Sequence, residues 1–195
     1  KFNVYNSLAA LAVALNEGVD LEAAAPALAE TVVPGRFEPV AKGQDFSVIV
    51  DYAHTPDGLE NVLQTAREIA PGRVICVVGA GGDRDRTKRP LMGEAAARLS
   101  DLLIVTSDNP RSEDPLSICE EVAEGARRLG APFEVEVDRR EAIRKAIGMA
   151  RPGDLVLIAG KGHETYQEIK GVKLPFDDRI EAAKALEEIL TDGTN

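Results

Sequence analysis

The feature that most constrains the fold is a regular alternation of short apolar runs and amphipathic segments from residue 46 onward. The runs are rich in Val, Ile and Leu, which is typical of strands buried on both faces of a parallel sheet. The predicted strands are Phe46–Asp51, Arg73–Val78, Leu102–Thr106, Phe133–Val137 and Asp154–Ala159. Helical patterns lie between them at about residues 56–69, 89–99, 115–129 and 139–150. This order predicts an α/β, Rossmann-like, mostly parallel sheet with helices on both faces.

The two ends of the chain add further elements. Near the C-terminus, Tyr166–Ile169 and Val172–Pro175 flank Lys170-Gly171, a pair typical of a tight hairpin. A last amphipathic helix is predicted at about residues 177–190. We therefore expect a C-terminal hairpin and a helix that packs back on the sheet.

At the N-terminus, helices are predicted at residues 4–15 and 21–29. The first is apolar on all sides, as expected for a buried helix. Asn3 and Asn6 share one of its faces, which suits either a ligand or helix capping. Pro34-Gly35-Arg36 forms a turn and the next three residues a linker, so we place a domain boundary near Arg36. Because a domain rarely begins inside a helix, we expect an upstream part.

Composition narrows the classes of protein. A formal net charge of -10 over 195 residues argues against general nucleic-acid binding, which needs a basic face. The sequence has no apolar run near membrane-spanning length and no signal peptide, so we expect no membrane partner. Neither Cys76 nor Cys119 has a metal-ligand spacing. Both are predicted to be small core residues in a reducing compartment, and we expect a cytoplasmic protein.

The stretch Asp108-Asn109-Pro110-Arg111 follows the third predicted strand. Pro110 has no N–H and cannot continue a strand ladder, and Pro115 suits the start of a helix capped by Asp114. An amide and a guanidinium are thereby held at the carboxyl end of a strand, where open α/β sheets bind ligands. Alone, the stretch fits equally an ordinary loop with a solvated Arg111.

Two further strand ends lead into polar or glycine-rich loops. Asp51-Tyr52-Ala53-His54 offers a carboxylate suited to ribose hydroxyls and a histidine suited to a phosphate, although His54 also fits a structural cap. The loop from Gly79 to Pro90 has glycines and cations suited to an anion. It is neither G-x-G-x-x-G nor a P-loop, because Arg84 stands where either needs glycine. A glycine turn with a solvated charge run remains the alternative.

The loop Gly160-Lys161-Gly162-His163-Glu164 brings backbone close to a ligand, and Glu164 can accept hydrogen bonds from an ammonium or act as a cap or surface residue. Parallel-sheet geometry places these loops along one edge. Together they supply guanidiniums from Arg84 and Arg111, an amide from Asn109 and an acid from Glu164. A zwitterionic amino acid requires this set. The sequence shows no metal cluster and no Ser-His-Asp set.

Five motifs in this order resemble one family, the ATP-dependent Mur ligases of peptidoglycan synthesis, and within it the members that add meso-diaminopimelate. The motifs are Asp51-Tyr52-Ala53-His54-Thr55-Pro56, Gly81-Gly82-Asp83-Arg84-Asp85, Lys88-Arg89-Pro90-Leu91-Met92, Asp108-Asn109-Pro110-Arg111 and Gly160-Lys161-Gly162-His163-Glu164. The match runs essentially end to end, and the joint occurrence is far more specific than any one motif.

The resemblance implies three domains, of which this chain looks like the last one plus the end of the central ATPase domain. Residues 1–36 would be the end of that ATP-binding domain, and residues 37–195 the C-terminal ligase domain. The Gly-x-x-Gly-Lys-Thr phosphate loop, the carbamylated lysine and the magnesium ligands of the central domain are absent from this sequence. The resemblance also implies ATP and Mg²⁺ as cofactors. Because those parts of the ATP site are absent, we expect this chain alone not to turn over ATP.

Carried over by position, two groups of residues are implied to bind ligands. Those implied for ATP are Asn3, Asn6, Arg36, Asp51 and His54. Those implied for meso-diaminopimelate are Arg84, Asp108, Asn109, Arg111, Gly160 and Glu164. In the family, the position of Arg111 separates diaminopimelate users from lysine users. A guanidinium offers the far carboxylate of diaminopimelate, which lysine lacks, a planar pair of donors.

The implied reaction joins diaminopimelate to UDP-MurNAc-L-Ala-D-Glu through an acyl phosphate. The implied partners are these two substrates and the missing N-terminal and central domains, and we expect a monomer. Alternatives are a lysine-adding ligase, a folylpolyglutamate synthetase-like ligase, a non-catalytic amino acid-binding module and a generic nucleotide-binding Rossmann domain.

Overall fold

The computed structural model describes the backbone of residues 2–192 and the side chains of residues 4–191. The chain divides after Val33 into two compact units, which are described separately below. The assignment of residues 1–36 to a central ATP-binding domain and of 37–195 to a ligase domain remains a prediction.

The first unit consists of two helices, α1 (Phe2–Asn16) and α2 (Leu21–Glu30). The prediction that α1 is buried is wrong for this chain, since Val4 is 60% exposed and Tyr5 73% exposed. Ala24 is the one buried residue among those described in this unit. Two helices can cover only one face of each other, so a helix that is apolar on all sides keeps most of its surface exposed.

The second unit contains the sheet. Its elements are β1 (Glu38–Pro39), β2 (Ser47–Asp51), α3 (Pro56–Ile69), β3 (Val74–Val78), α4 (Lys88–Leu99), β4 (Leu102–Val105), α5 (Pro115–Leu129), β5 (Phe133–Val135), α6 (Arg139–Met149), β6 (Leu155–Ala159), β7 (Tyr166–Ile169), β8 (Val172–Pro175) and α7 (Asp178–Asp192). A six-stranded sheet has the order β1-β2-β6-β3-β4-β5, and β7 and β8 form a separate pair. The predicted mostly parallel α/β fold with a C-terminal hairpin is confirmed.

One strand differs from the prediction. The segment predicted as a linker contains β1, which pairs antiparallel with β2 through Glu38 opposite Val50. Pro39 lies in this edge strand, where its missing N–H costs no central ladder bond.

The loops that follow four strands start at the same level of the sheet. Asp51, the last residue of β2, and Val78, the last of β3, both pair with Ala159 at the end of β6. Val105 of β4 in turn pairs with Val78. The carboxyl ends of these four neighbouring strands therefore form one continuous edge.

The core has two layers because successive strand residues point to opposite faces. In β3, Val74 and Cys76 pack with α3, α4 and α5, whereas Ile75 and Val77 pack with α6 and α7. Cys76 and Cys119 are free and buried, as predicted for core residues. Burial raises the pKa of both thiols to about 12, so neither is a reactive thiolate at neutral pH.

The helix starts follow the sequence signals. The predicted cap Asp114 accepts a hydrogen bond from the backbone N–H of Ser117 at 2.8 Å, and Pro115 opens α5. Thr55, rather than His54, caps α3 by accepting from the N–H of Gly58 at 3.1 Å. In the described part of the chain, no helix has the length and apolarity needed to cross a bilayer.

Candidate amino acid site

A cleft of about 440 Å³ opens at the shared edge of the four strands, within the second unit. Its walls come from the loops after β2, β3, β4 and β6. Seven of the residues predicted from sequence line it: His54, Arg84, Asp108, Asn109, Arg111, Gly160 and Glu164. The parallel geometry thus brings all six residues predicted for the amino acid, and one predicted for the nucleotide, to the same cavity.

Asn109 and Glu164 line the cleft and bind each other. The buried Asn109 donates from Nδ2 to Glu164 Oε2 at 2.8 Å. Its Oδ1 accepts from Lys161 Nζ at 3.0 Å and from the backbone N–H of Glu168 at 2.9 Å. Because Oδ1 has donors on two sides, the amide can adopt only one of its two orientations.

Asp108 and Gly160 pack tightly beside this pair. Asp108 is buried, and its Oδ1 lies 3.5 Å from Lys161 Nζ. Gly160 has φ +119°, and a Cβ at this position would lie 2.6 Å from Asp108 Oδ2. Both the backbone conformation and the space therefore require glycine here.

Arg111 lines the same cleft and has a left-handed backbone conformation, with φ 51°. Its Nη1 donates to the carbonyl of Gly82 at 2.6 Å, and its Nε lies 3.7 Å from Glu168 Oε2. The side chain is 22% exposed, so the guanidinium is held in place yet reachable.

Arg84 lines the same cleft and is exposed. Its guanidinium makes no hydrogen bond or ion pair with any residue that the structure describes. The cleft therefore combines the guanidiniums of Arg111 and Arg89, which are held by other residues, with that of Arg84, which is available to an anion.

A buried arginine supports the glycine-rich loop. Arg89 donates to both oxygens of Glu113, at 2.7 and 2.9 Å, to Glu121 at 2.9 Å and to the carbonyl of Gly81 at 3.2 Å. The hydrogen bonds from Arg89 lower the pKa of Glu113 to about 2. Sequence reasoning missed Arg89, because it stands in a run of charges that resembles a solvated face.

Two more buried cations escaped sequence reasoning, Lys161 and Arg139. One sequence feature could have indicated that Lys161 belongs to the site: it lies between two glycines just after a strand end. Arg139 pairs with Asp178 at 2.7 Å, and both side chains are completely buried. It also donates to the carbonyl oxygens of Ser107 and Ala159, at 3.3 and 3.0 Å. Arg139 thereby joins the ends of β4 and β6, from which the cleft loops start.

The residues predicted for a nucleotide are more dispersed. His54 Nδ1 lies 2.8 Å from the carbonyl of Tyr52, so Nδ1 carries the proton and Nε2 is left open. The guanidinium carbon of Arg36 lies 4.4 Å from the centre of the Tyr52 ring. The ring of His163 lies on the same tyrosine, at 5.2 Å. These groups form an aromatic and cationic cluster beside the cleft.

Asp51 accepts the backbone N–H groups of Phe37 and Ala53, at 2.7 and 2.8 Å. Burial raises the pKa of this carboxyl, and the two backbone hydrogen bonds oppose the rise. Neither Asp51 nor Arg36 lines the cleft. Asn6 lies on α1 in the first unit, and the side chain of Asn3 falls outside the described residues.

No group of three or more His, Cys, Asp or Glu suited to a metal occurs among the described residues. Cations, amide and carboxylates converge in one cleft, so the donor set suits an organic zwitterion.

Comparison with known proteins agrees with this fold. The family described as "Mur ligase, glutamate ligase domain" matches residues 35–162, and the chain belongs to the Mur ligase family. A relative from Syntrophomonas wolfei, named UDP-N-acetylmuramoyl-L-alanyl-D-glutamate--2,6-diaminopimelate ligase, is 61% identical over 187 residues. That alignment covers 95% of this chain and 38% of the relative, so the chain spans well under half of the curated protein's length.

Solved structures of other proteins also resemble this chain. A structure of a UDP-N-acetylmuramoyl-L-alanyl-D-glutamate--2,6-diaminopimelate ligase superposes with a TM-score of 0.76 at 44% identity, and covers 97% of this chain and 39% of that one. A bifunctional folylpolyglutamate synthase/dihydrofolate synthase from Yersinia pestis has a TM-score of 0.60 at 20% identity, over 88% of this chain and 35% of that one. The second likeness shows a shared fold alone.

Proposed function

We propose that this chain supplies the amino acid site, and part of the nucleotide site, of an ATP-dependent ligase that joins meso-diaminopimelate to UDP-N-acetylmuramoyl-L-alanyl-D-glutamate. The observation that carries the proposal is the charge arrangement of one cleft. Carboxylates and an amide (Asp108, Glu164, Asn109) lie with two guanidiniums (Arg84, Arg111) around the same cavity. The names of the relatives support this choice of substrates.

Diaminopimelate is an amino acid with a second amino acid head at its far end. Each head has an ammonium, which needs acceptors such as Glu164 and Asp108, and a carboxylate, which needs donors such as Arg84 and Arg111. A cavity of about 440 Å³ is of the size that usually holds a small organic ligand. Both heads therefore have partners within one cleft.

Arg111 is the proposed basis for selecting diaminopimelate over lysine. Lysine has no far carboxylate, so a lysine-bound cleft would leave this guanidinium without its partner. Removing one partner of a hydrogen-bonded charge pair at an interface costs on the order of 2–5 kcal/mol. Because Arg111 is partly exposed, we expect the lower end of that range, a discrimination of about 30-fold.

The bond-forming step follows from the chemistry of the substrates. ATP supplies the phosphoryl group that converts the D-glutamate side-chain carboxylate into an acyl phosphate. A neutral amine of diaminopimelate attacks the carbonyl carbon, a C–N bond forms, and the C–O bond to phosphate breaks. The nitrogen then loses a proton, and inorganic phosphate leaves. The cleft contributes by holding the amine in a fixed position, which lowers the entropic part of the barrier.

Arg36 and His54 are the described residues best suited to a nucleotide phosphate. Arg36 is a cation stacked on Tyr52, and His54 has an open Nε2 on an exposed ring. We assign the Mg²⁺ ligands to the remainder of the ligase. In this proposal the substrates are intracellular metabolites, so the enzyme acts in the cytoplasm. We also propose that it acts as a monomer.

The test uses the complete protein encoded by the gene that carries this sequence. With UDP-N-acetylmuramoyl-L-alanyl-D-glutamate, ATP, Mg²⁺ and meso-diaminopimelate, we expect equal amounts of ADP, phosphate and UDP-linked tripeptide. Binding of the amino acid without any ADP formation would instead favour a non-catalytic amino acid-binding module.

A further inference from the structure

The loop that follows β6 contains a lysine whose side chain is completely buried. Lys161 lies between Gly160, which lines the cleft, and Gly162. A buried ammonium is costly unless oxygen atoms surround it. The groups around Lys161 therefore indicate what it does.

All the partners of this ammonium are wall residues of the cleft. Nζ lies 3.0 Å from Asn109 Oδ1 and 3.5 Å from both Asp108 Oδ1 and Glu164 Oε2. The ring of Tyr166 is 5.8 Å away. Lys161 itself does not line the cleft. It lies behind the wall and contacts four of the residues that form it.

The first consequence concerns orientation. With Nζ and the Glu168 N–H both donating to Asn109 Oδ1, the amide nitrogen is turned toward Glu164. Glu164 Oε2 is then fixed between Asn109 and Lys161. The acceptor that the cleft offers to an ammonium is thus held in one place before any ligand binds.

The second consequence concerns charge. Asp108 and Glu164 are two carboxylates, and Lys161 is one cation that contacts both, so the three groups leave one net negative charge. Arg139 also attracts these carboxylates, but its charge is balanced by its own buried partner Asp178. One net negative charge matches one ammonium group of an amino acid.

We propose that Lys161 is a positioning residue for the amino acid: it sets the charge of the acidic end of the cleft and fixes Asn109 and Glu164 without touching the substrate. This rests on the proposed function. It predicts that Lys161 affects the binding of the amino acid and does not affect the binding of ATP.

The first test replaces Lys161 by methionine, which has a similar length and no charge, in the complete protein. We expect the Michaelis constant for meso-diaminopimelate to rise by about tenfold or more, which corresponds to about 1.4 kcal/mol. The Michaelis constant for ATP should stay within about twofold, because the lost interaction belongs to the amino acid alone. As a control, Lys184→Met removes a lysine paired with Glu181 at 2.9 Å on α7, outside this cleft, and should change neither constant.

The second test restores the charge balance. In Lys161→Met/Asp108→Asn, one cation and one carboxylate are both removed, so one net negative charge remains, on the partly exposed Glu164. We expect this double variant to have a lower Michaelis constant for diaminopimelate than either single variant. If Lys161→Met does not fold, the test is the Michaelis constant for diaminopimelate in the double variant against that in Asp108→Asn. A lower constant in the double variant supports the inference.

An unchanged constant in Lys161→Met, an equal rise for ATP, or a double variant no better than the single variants overturns the inference. These outcomes differ from a failure of the proposed function, in which the unmodified protein shows no diaminopimelate-dependent turnover.

Discussion

Glu113 shows how a single carboxylate can hold two loops of the cleft together. It accepts hydrogen bonds from both terminal nitrogens of Arg89. It also accepts one, at 2.6 Å, from the backbone N–H of Asp83 in the glycine-rich loop. Glu113 itself follows Arg111 by two residues. The loops after β3 and β4 are therefore tied to each other through one ionised side chain.

This tie should depend on pH. The pKa of Glu113 is lowered from 4.5 to about 2, mainly by the hydrogen bonds from Arg89. A lowered pKa in the folded state adds stability above pH 4.5, and that stability is lost as the pH falls toward 2. Because the side chain of Glu113 is 24% exposed to solvent, we expect Glu113→Gln to cost about 1 kcal/mol at pH 7 and clearly less at pH 3.

Urea unfolding of the unmodified chain and of Glu113→Gln at both pH values measures this difference. A difference in the free energy of unfolding that is the same at pH 7 and pH 3 would contradict the assigned role of the Arg89 hydrogen bonds.

At this scale, sequence reasoning found seven of the residues that line the cleft but missed Arg89, which also lines it, and the buried cations Lys161 and Arg139 behind it. Asn109 and Arg111 were recognisable because prolines and a strand end fix their place. Arg89, Lys161 and Arg139 were not, because a charged residue is expected in solvent. Arg89 and Arg139 depend on Glu113 and Asp178, which are 24 and 39 residues away in the chain, and no local pattern shows those pairings.

Among the elements, the β7–β8 hairpin sets the conformation of Arg111. The Arg111 N–H donates to the carbonyl of Glu168 at 3.0 Å, and the Lys170 N–H donates to the Arg111 carbonyl at 2.7 Å. The hairpin thus pairs with the strand-end loop across the left-handed Arg111. The register of this short hairpin therefore matters for the selectivity proposed above.

The hairpin turn allows a controlled test of backbone strain. Lys170 and Gly171 have φ 50° and 75°, as in a type I′ turn. A Cβ at Gly171 would meet no atom within 4 Å, and the same holds at Gly148 within α6, where φ is not positive. We expect Gly171→Ala to destabilise the chain by about 1 kcal/mol and Gly148→Ala to stabilise it by about 0.5–1 kcal/mol. Thermal unfolding of both variants measures the contrast, and shifts of the same sign would contradict it.

The existence and direction of the strands were predictable, and their order was not. Five strand-like runs indicate a parallel sheet, and those that became β2, β3 and β6 are all rich in Val, Ile and Leu, so nothing local shows that β6 lies between β2 and β3. The two-residue β1 was missed because the segment was interpreted as a linker, and two residues that include Pro39 show no strand pattern, although an edge position tolerates a proline. The helix α1 was predicted to be buried because it is apolar on all sides. That pattern does not show which other elements cover the helix, so the prediction failed.

For the whole molecule, net charge is a poor guide to this site. The chain has a formal net charge of -10, yet Arg84, Lys88 and Arg111 line the same cleft. The carboxylates of Asp108 and Glu164 line it with them, so in the proposed function the local arrangement of charges, rather than the net charge of the chain, determines the ligand. A zwitterion with two heads fits such alternating charges better than a simple anion or cation does.

The central claim is that this cleft selects diaminopimelate through Arg111. The most direct measurement is the ratio of kcat/KM for meso-diaminopimelate to that for L-lysine, in the complete protein and in Arg111→Ala. Arg128→Ala, which removes an exposed arginine paired with Glu124 on α5, is the matched control. We expect a ratio of about 30 or more in the unmodified protein and the control, and a ratio near one in Arg111→Ala. A preference for lysine, or a ratio that Arg111→Ala leaves unchanged, would contradict the claim.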